Sequence, residues 1–138
     1  MAVNRAPKRP RSRTEILQGA GLVQSLVSMA FGVTLEELQA PSRSKAHIAF
    51  ARQCAMYLCH VTLGMSLSEI AMAFRRDRTT VSHACHLVED ARDDEDLDAR
   101  LSCLEASVNN FSGDMSAFGE ALALGDTAPL MLKRGGRA

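Results

Sequence analysis

Within nine residues the chain places the guanidinium groups of Arg75, Arg76 and Arg78, the hydroxyls of Thr79, Thr80 and Ser82, and the imidazole of His83. Guanidinium groups grip phosphate or take the O6 and N7 of guanine together, while threonine offers a hydroxyl to base acceptors and a methyl to thymine. Asp77, in the middle, either accepts from a cytosine amino group or caps the helix behind it. His83, one turn on, can reach a phosphate or a base. None of this chemistry works unless rigid elements hold the groups on one side.

The elements are legible on both flanks. Ser66 and Glu69 form a capping box, and Leu67, Ile70, Ala71 and Phe74 follow at helical spacing. Arg75-Arg76 interrupt that stripe. After Asp77, the residues Val81, Ala84, Cys85 and Val88 repeat the i, i+3, i+4, i+7 pattern and leave Arg78, Thr79, Ser82, His83 and His86 outward. Two short helices with a tight turn, the second opening on Arg and Thr, are what a helix-turn-helix needs to enter a major groove. The expected motif spans 66–92. Its second helix also presents the positive end of its dipole and free N–H groups to phosphate.

The same residues carry a resemblance. Arg52-Gln53-Cys54-Ala55-Met56-Tyr57-Leu58, then Ser66-Leu67-Ser68-Glu69-Ile70, then Asp77-Arg78-Thr79-Thr80-Val81-Ser82-His83-Ala84 resemble, in order and spacing, the C-terminal DNA-binding domain (domain IV) of the bacterial replication initiator DnaA. The likeness covers roughly residues 14–95. It implies that Arg52 and Gln53 lie against the DNA backbone and that a basic-loop arginine enters the minor groove. Ser44 aligns with that arginine, with Arg43 and Lys45 on either side. Arg78 stands where the family usually has histidine, and the turn at Phe74–Asp77 is shorter and lacks the family's glycine. The expected DNA preference is therefore related to the initiator's box and not necessarily identical to it.

Phosphate or groove-edge contacts are expected from Arg43, Lys45 and Arg75 or Arg76, and from the N–H groups at Ser66, Leu67 and Ser68. About six cationic contacts would give a log–log salt slope near −5. The zero net charge hides a division. Residues 1–84 carry a net +6 and residues 85–138 a net −6, with the acidic run Asp93–Asp96 expected to face water.

Around the motif, residues 1–13 (Arg5, Lys8, Arg9, Arg11, Arg13) are expected to form a disordered basic arm that either tracks DNA or merely solubilises. A helical domain should occupy 14–108. Its first helix runs from about Thr14 to Phe31 on the stripe Ile16, Ala20, Val23, Val27 and Ala30, with fraying at Gly19 and Gly21 and a stop at Gly32. A capping box at Thr34 and Glu37 opens a short helix ended by Pro41, and a third helix covers about Ala46–Thr62. Leu97, Leu101 and Leu104 mark another. From Asn109 to 138 the pattern fades. That tail, with Phe111, Met115, Phe118 and Leu122, is expected to be flexible or to hold a short helix that docks on a partner. The fold class is all-α, a small helical bundle.

Several classes are excluded on this reading. There is no phosphate loop for nucleotide hydrolysis, no catalytic constellation and no cofactor motif, so no enzyme is expected. Cys54, Cys59, Cys85 and Cys103 lack metal-type spacing. No membrane span or secretion signal is visible, so the expected location is cytoplasmic and nucleoid-associated. The expected function is sequence-specific binding of double-stranded DNA by a monomeric regulator of replication initiation or transcription at DnaA-box-like sites. As a stand-alone module without the ATPase domain, it could compete with or assist the initiator but not melt an origin. The alternative is a protein-interaction module that regulates the initiator or its regulatory factors without needing DNA.

Overall fold

Three helices open on a reciprocal cap, and those caps set the order of the chain. Ser12 and Glu15 close the start of α1 (Arg13–Phe31), Thr34 and Glu37 that of α2 (Leu35–Gln39), and Ser66 and Glu69 that of α4 (Leu67–Phe74). Between and after them come α3 (Ala46–Leu63), α5 (Arg78–Ala91) and α6 (Glu95–Ala123). The computed structural model describes residues 10–41 and 45–123, with side chains as far as Ser112 in α6. Among the described residues every regular element is helical. None of these helices is long and apolar enough to cross a membrane.

α3 is the hub. Its residues Ala51–Cys59 are buried on nearly every side, Gln53 excepted, and it packs against all five other helices. The core is built from Val23 and Val27 of α1, Leu58 of α3, Ile70 of α4, Val81 and Val88 of α5, and Leu101 and Val108 of α6. Gly32 and Gly64 end α1 and α3 in the left-handed conformation, with φ of 67° and 65°.

α1 departs from expectation at both ends. It starts at Arg13 with its first turn held by the Ser12 cap and the buried Ile16, in place of fraying, and Ala30 lies on the exposed face. Gly19 is explained by packing: a Cβ there would stand 2.8 Å from Met65 Cε and 3.1 Å from Leu63 Cδ1. Gly21 has nothing within 4 Å of such a Cβ. Gly21→Ala is therefore expected to stabilise the domain by about 0.5–1 kcal/mol, read as a higher urea midpoint at unchanged slope.

The end of the basic arm is built into the fold. Arg11 donates to Leu63 O and to Glu69 Oε1 (3.0 Å), at the junction of α3 and α4. Residues 1–9 lie outside the described residues. At the other end, α6 continues without a break past Asn109 to Ala123, and the tail beyond 123 lies outside the described residues.

A second joint ties α5 to α6. Arg92 bridges Asp98 and Glu105 at 2.6 Å each, donates to Tyr57 Oη (3.1 Å) and Ser102 Oγ (2.9 Å), and stacks over the Tyr57 ring. Part of the acidic segment after residue 92 thus serves the fold, while Asp93–Asp96 are exposed.

All four cysteines are free thiols. Burial raises Cys54 from 9.0 to about 12 and pushes the fully buried Cys59 up as well. A thiol whose folded value exceeds its unfolded one stabilises the fold below pH 9, and that contribution fades as pH rises towards 12. Ellman's reagent at neutral pH should label the exposed Cys103 first, and Cys54 and Cys59 only as fast as the protein unfolds.

Candidate nucleic-acid interface

α5 projects one polar face because its apolar residues are used inward. Val81, Ala84 and Val88 are buried against α3 and α4, which leaves Arg78, Thr79, Thr80 and His83 exposed over the first turn and a half. Asp77 holds the N-cap position with extended backbone (φ −69°, ψ 150°), yet its carboxylate makes no cap hydrogen bond. Of its two expected roles, capping is not the one this geometry uses. The N–H groups of the first turn and the Asp77 carboxylate all remain on the outer surface.

The turn before α5 is closed by an arginine in a glycine's conformation. Arg75 has φ 57° and ψ 48°, and is the one non-glycine residue with positive φ among those described. Its N–H and that of Arg76 fold back on Met72 O and Ala71 O, a Schellman-type stop. Arg75 thus takes the left-handed conformation in a turn that lacks the family's glycine. The Arg75 side chain is exposed. Arg75→Gly should raise stability by about 0.5–1 kcal/mol while weakening DNA binding, a divergence visible by running melts and titrations on one preparation.

Three of the expected contact residues are engaged inside the fold. Arg52 is only 7% exposed, and its guanidinium donates to Leu38 O (2.7 Å) and Glu37 O (2.9 Å) at the end of α2. Burial, then the neighbouring Arg76, lower its pKa from the ordinary value. It braces the end of α2. Arg76 is half-buried, donating to Ala40 O at 2.8 Å just beyond the same helix end. The unpaired carbonyls and negative dipole of a helix C-terminus suit such cations. Ser66 is exposed, but its N–H donates to Glu69 Oε1 (2.9 Å) and its hydroxyl accepts from Glu69 N (3.1 Å). That N–H is spent on the cap and is not left for a phosphate.

The remaining candidates sort simply. Lys45, at the N-cap of α3, and Ser68, in the first turn of α4, are exposed, and Gln53 is half-buried. Arg43 lies outside the described residues. Among the described residues, Lys45, Arg75 and Arg78 make no ion pair. Sequence reading missed Arg11. Its partners lie more than fifty positions away, so no local pattern could have found them. It also missed that Ser82 O accepts from His86 Nδ1 (2.9 Å), which ties His86 back onto its own helix. No group of three His, Cys, Asp or Glu side chains among the described residues is arranged to hold a metal ion.

Residues 21–88 match the family model of the bacterial dnaA protein helix-turn-helix. Among curated proteins, the chromosomal replication initiator protein DnaA of Desulfotalea psychrophila is 39% identical over 90 residues, 64% of this chain and 19% of that protein. The corresponding initiator of Mycobacteroides abscessus is 42% identical over 65 residues, 47% of this chain and 13% of its own length. The chain thus spans less than a fifth of either relative. Among solved structures, a replication initiator DnaA bound to AMPPCP and single-stranded DNA superposes with a TM-score of 0.63 at 30% identity, over 70% of this chain and 30% of that one. AMPPCP-bound DnaA from Aquifex aeolicus gives 0.62 at 28% identity, over 70% and 29%.

Proposed function

We propose that this chain, whose residues 21–88 match the family model of the bacterial dnaA protein helix-turn-helix, binds double-stranded DNA sequence-specifically and regulates replication initiation or transcription at DnaA-box-like sites. The observation that carries this reading is the first turn of α5: Arg78, Thr79, Thr80 and His83 are exposed together, with Arg78 free of any ion pair. Arg78 takes guanine O6 and N7, the threonines pack on thymine or bond base acceptors, and the Asp77 carboxylate accepts from a cytosine amino group. Lys45, Arg75 and Ser68, with Arg43 from the basic loop, hold the phosphates and set the register. The chain's own residues recognise and position. They perform no catalysis in this reading, and the protein works in the cytoplasm on the nucleoid.

With Arg52 and Arg76 committed to the end of α2 and Arg78 given to a base, the cations this reading leaves for phosphate are Arg43, Lys45 and Arg75. The salt slope should then be about −2.7, at about −0.9 per phosphate neutralised, below the six-contact figure. Filter binding of a DnaA-box duplex and a scrambled duplex at several salt concentrations tests the reading. Tighter binding of the box at every salt is expected, and equal affinity for both removes the claim of sequence specificity.

The engagement of Arg52 and Arg76 inside the fold favours one second reading. A module with fewer free cations on its DNA face could act through protein contacts with the initiator or its regulators. That reading requires an Arg78→Ala, Thr79→Ala double variant to keep its cellular effect after losing DNA binding.

A further inference from the structure

The turn between α4 and α5 reaches back across thirty-six positions of chain to the end of α2. Arg76 Nη2 donates to Ala40 O at 2.8 Å, and Ala40 is the C-cap residue of α2. The other contacts of this guanidinium are long and local, from Nη1 to Phe74 O (3.4 Å) and Arg75 O (3.5 Å). α2 itself packs on α1 and α3, and Arg52 of α3 already serves its carbonyls at Glu37 and Leu38. A second guanidinium beside Arg52 is held there against like-charge repulsion. What it adds is a tie to a different part of the molecule: Arg52 joins the end of α2 to α3, and Arg76 joins it to the helix-turn-helix.

Both ends of that bond lead straight into candidate DNA contacts. Asp77 and Arg78 follow Arg76 directly, and Arg78 opens α5. Five residues beyond Ala40 stands Lys45, exposed at the N-cap of α3. Phosphate contacts set the register in which base edges are met, so two segments gripping one duplex must keep a fixed offset. Resting on the reading that the first turn of α5 enters a major groove, we infer that Arg76 is a positioning residue for DNA recognition. Through Ala40 O it fixes the offset between the base-reading turn at Arg78 and the phosphate-holding segment that follows α2. It thereby sets sequence discrimination without a DNA contact of its own.

Titration of the full chain with a DnaA-box duplex and a scrambled duplex, at several salt concentrations, tests this with Arg76→Met and Arg76→Lys. Methionine keeps an apolar stem and removes the donor, while lysine keeps the charge and a donor. The ratio of box to scrambled affinity should fall about fivefold or more in Arg76→Met, the loss of one well-placed base contact. Its salt slope on the scrambled duplex should equal that of the wild type, and Arg76→Lys should regain part of the ratio. Partial unfolding does not imitate this result, because it scales both affinities alike and leaves their ratio unchanged. An Arg76→Met ratio equal to the wild-type one overturns the inference, as does an Arg76→Lys ratio no better than that of Arg76→Met. A slope on the scrambled duplex shallower by about 0.9 in Arg76→Met also overturns it, and makes Arg76 a phosphate contact. Those three outcomes leave the DNA reading standing, whereas wild-type protein that binds both duplexes equally removes sequence specificity and this role together.

Discussion

Alanine in place of Arg78 is expected to weaken binding to a DnaA-box-like duplex by about 1–3 kcal/mol, roughly 5- to 150-fold, and to relax preference at one base pair. The size follows from what the side chain can do and from what competes for it. Arg78 stands at the first position of α5, exposed, with no carboxylate partner to hold it away from a groove. A bidentate contact to guanine disappears entirely on truncation, whereas a phosphate contact is partly replaced by counterions. Lys45→Ala should therefore behave differently, lowering affinity for all sequences alike and reducing the salt slope by about one. The pair of variants, titrated against box and scrambled duplexes, separates base reading from backbone holding. Stability should be untouched in both, since neither side chain makes a described contact within the fold.

The second large effect concerns Arg52, which the family resemblance places against the DNA backbone. Arg52→Ala should cost about 2–3 kcal/mol of folding free energy. It strips the two carbonyls at Glu37 and Leu38 of their donor and leaves a hole where a 7%-exposed side chain lay. Urea unfolding would report this as a lower midpoint. The affinity of the remaining folded fraction for DNA should stay close to wild type, because the guanidinium is taken up by Leu38 O and Glu37 O. Arg52→Lys should recover only part of the loss. An ammonium offers no planar fork for two carbonyls at once. A large fall in DNA affinity with no change in stability would return Arg52 to the interface.

These two arginines show what could and could not be read from the chain. The helix-turn-helix is a local object. The Ser66–Glu69 box, the Val81, Ala84, Val88 stripe and the polar remainder of α5 are all set by spacings of three and four, and each is found where the spacing places it. Arg52 differs because its surroundings are supplied by α2, fourteen residues earlier. Until α2 is seen to end against α3, nothing says that position 52 faces inward. Arg76 is hidden from a local pattern in the same way, its acceptor at Ala40 lying thirty-six residues away. The capping box at Ser66 is legible in the sequence, and a reciprocal cap uses the very N–H that a phosphate would need. In α6, glycines and serines between residues 112 and 119 dilute the apolar signal, although the 4-3 spacing beneath them continues to Leu122.

The central claim, that the first turn of α5 enters a major groove, is tested most directly by dimethyl sulfate footprinting on a DnaA-box duplex. The reagent methylates guanine N7, the major-groove atom that Arg78 would occupy. Wild-type protein should protect one or more box guanines, and Arg78→Ala should leave them reactive even at concentrations that saturate the duplex. Full reactivity of every box guanine under saturating wild-type protein would contradict the account.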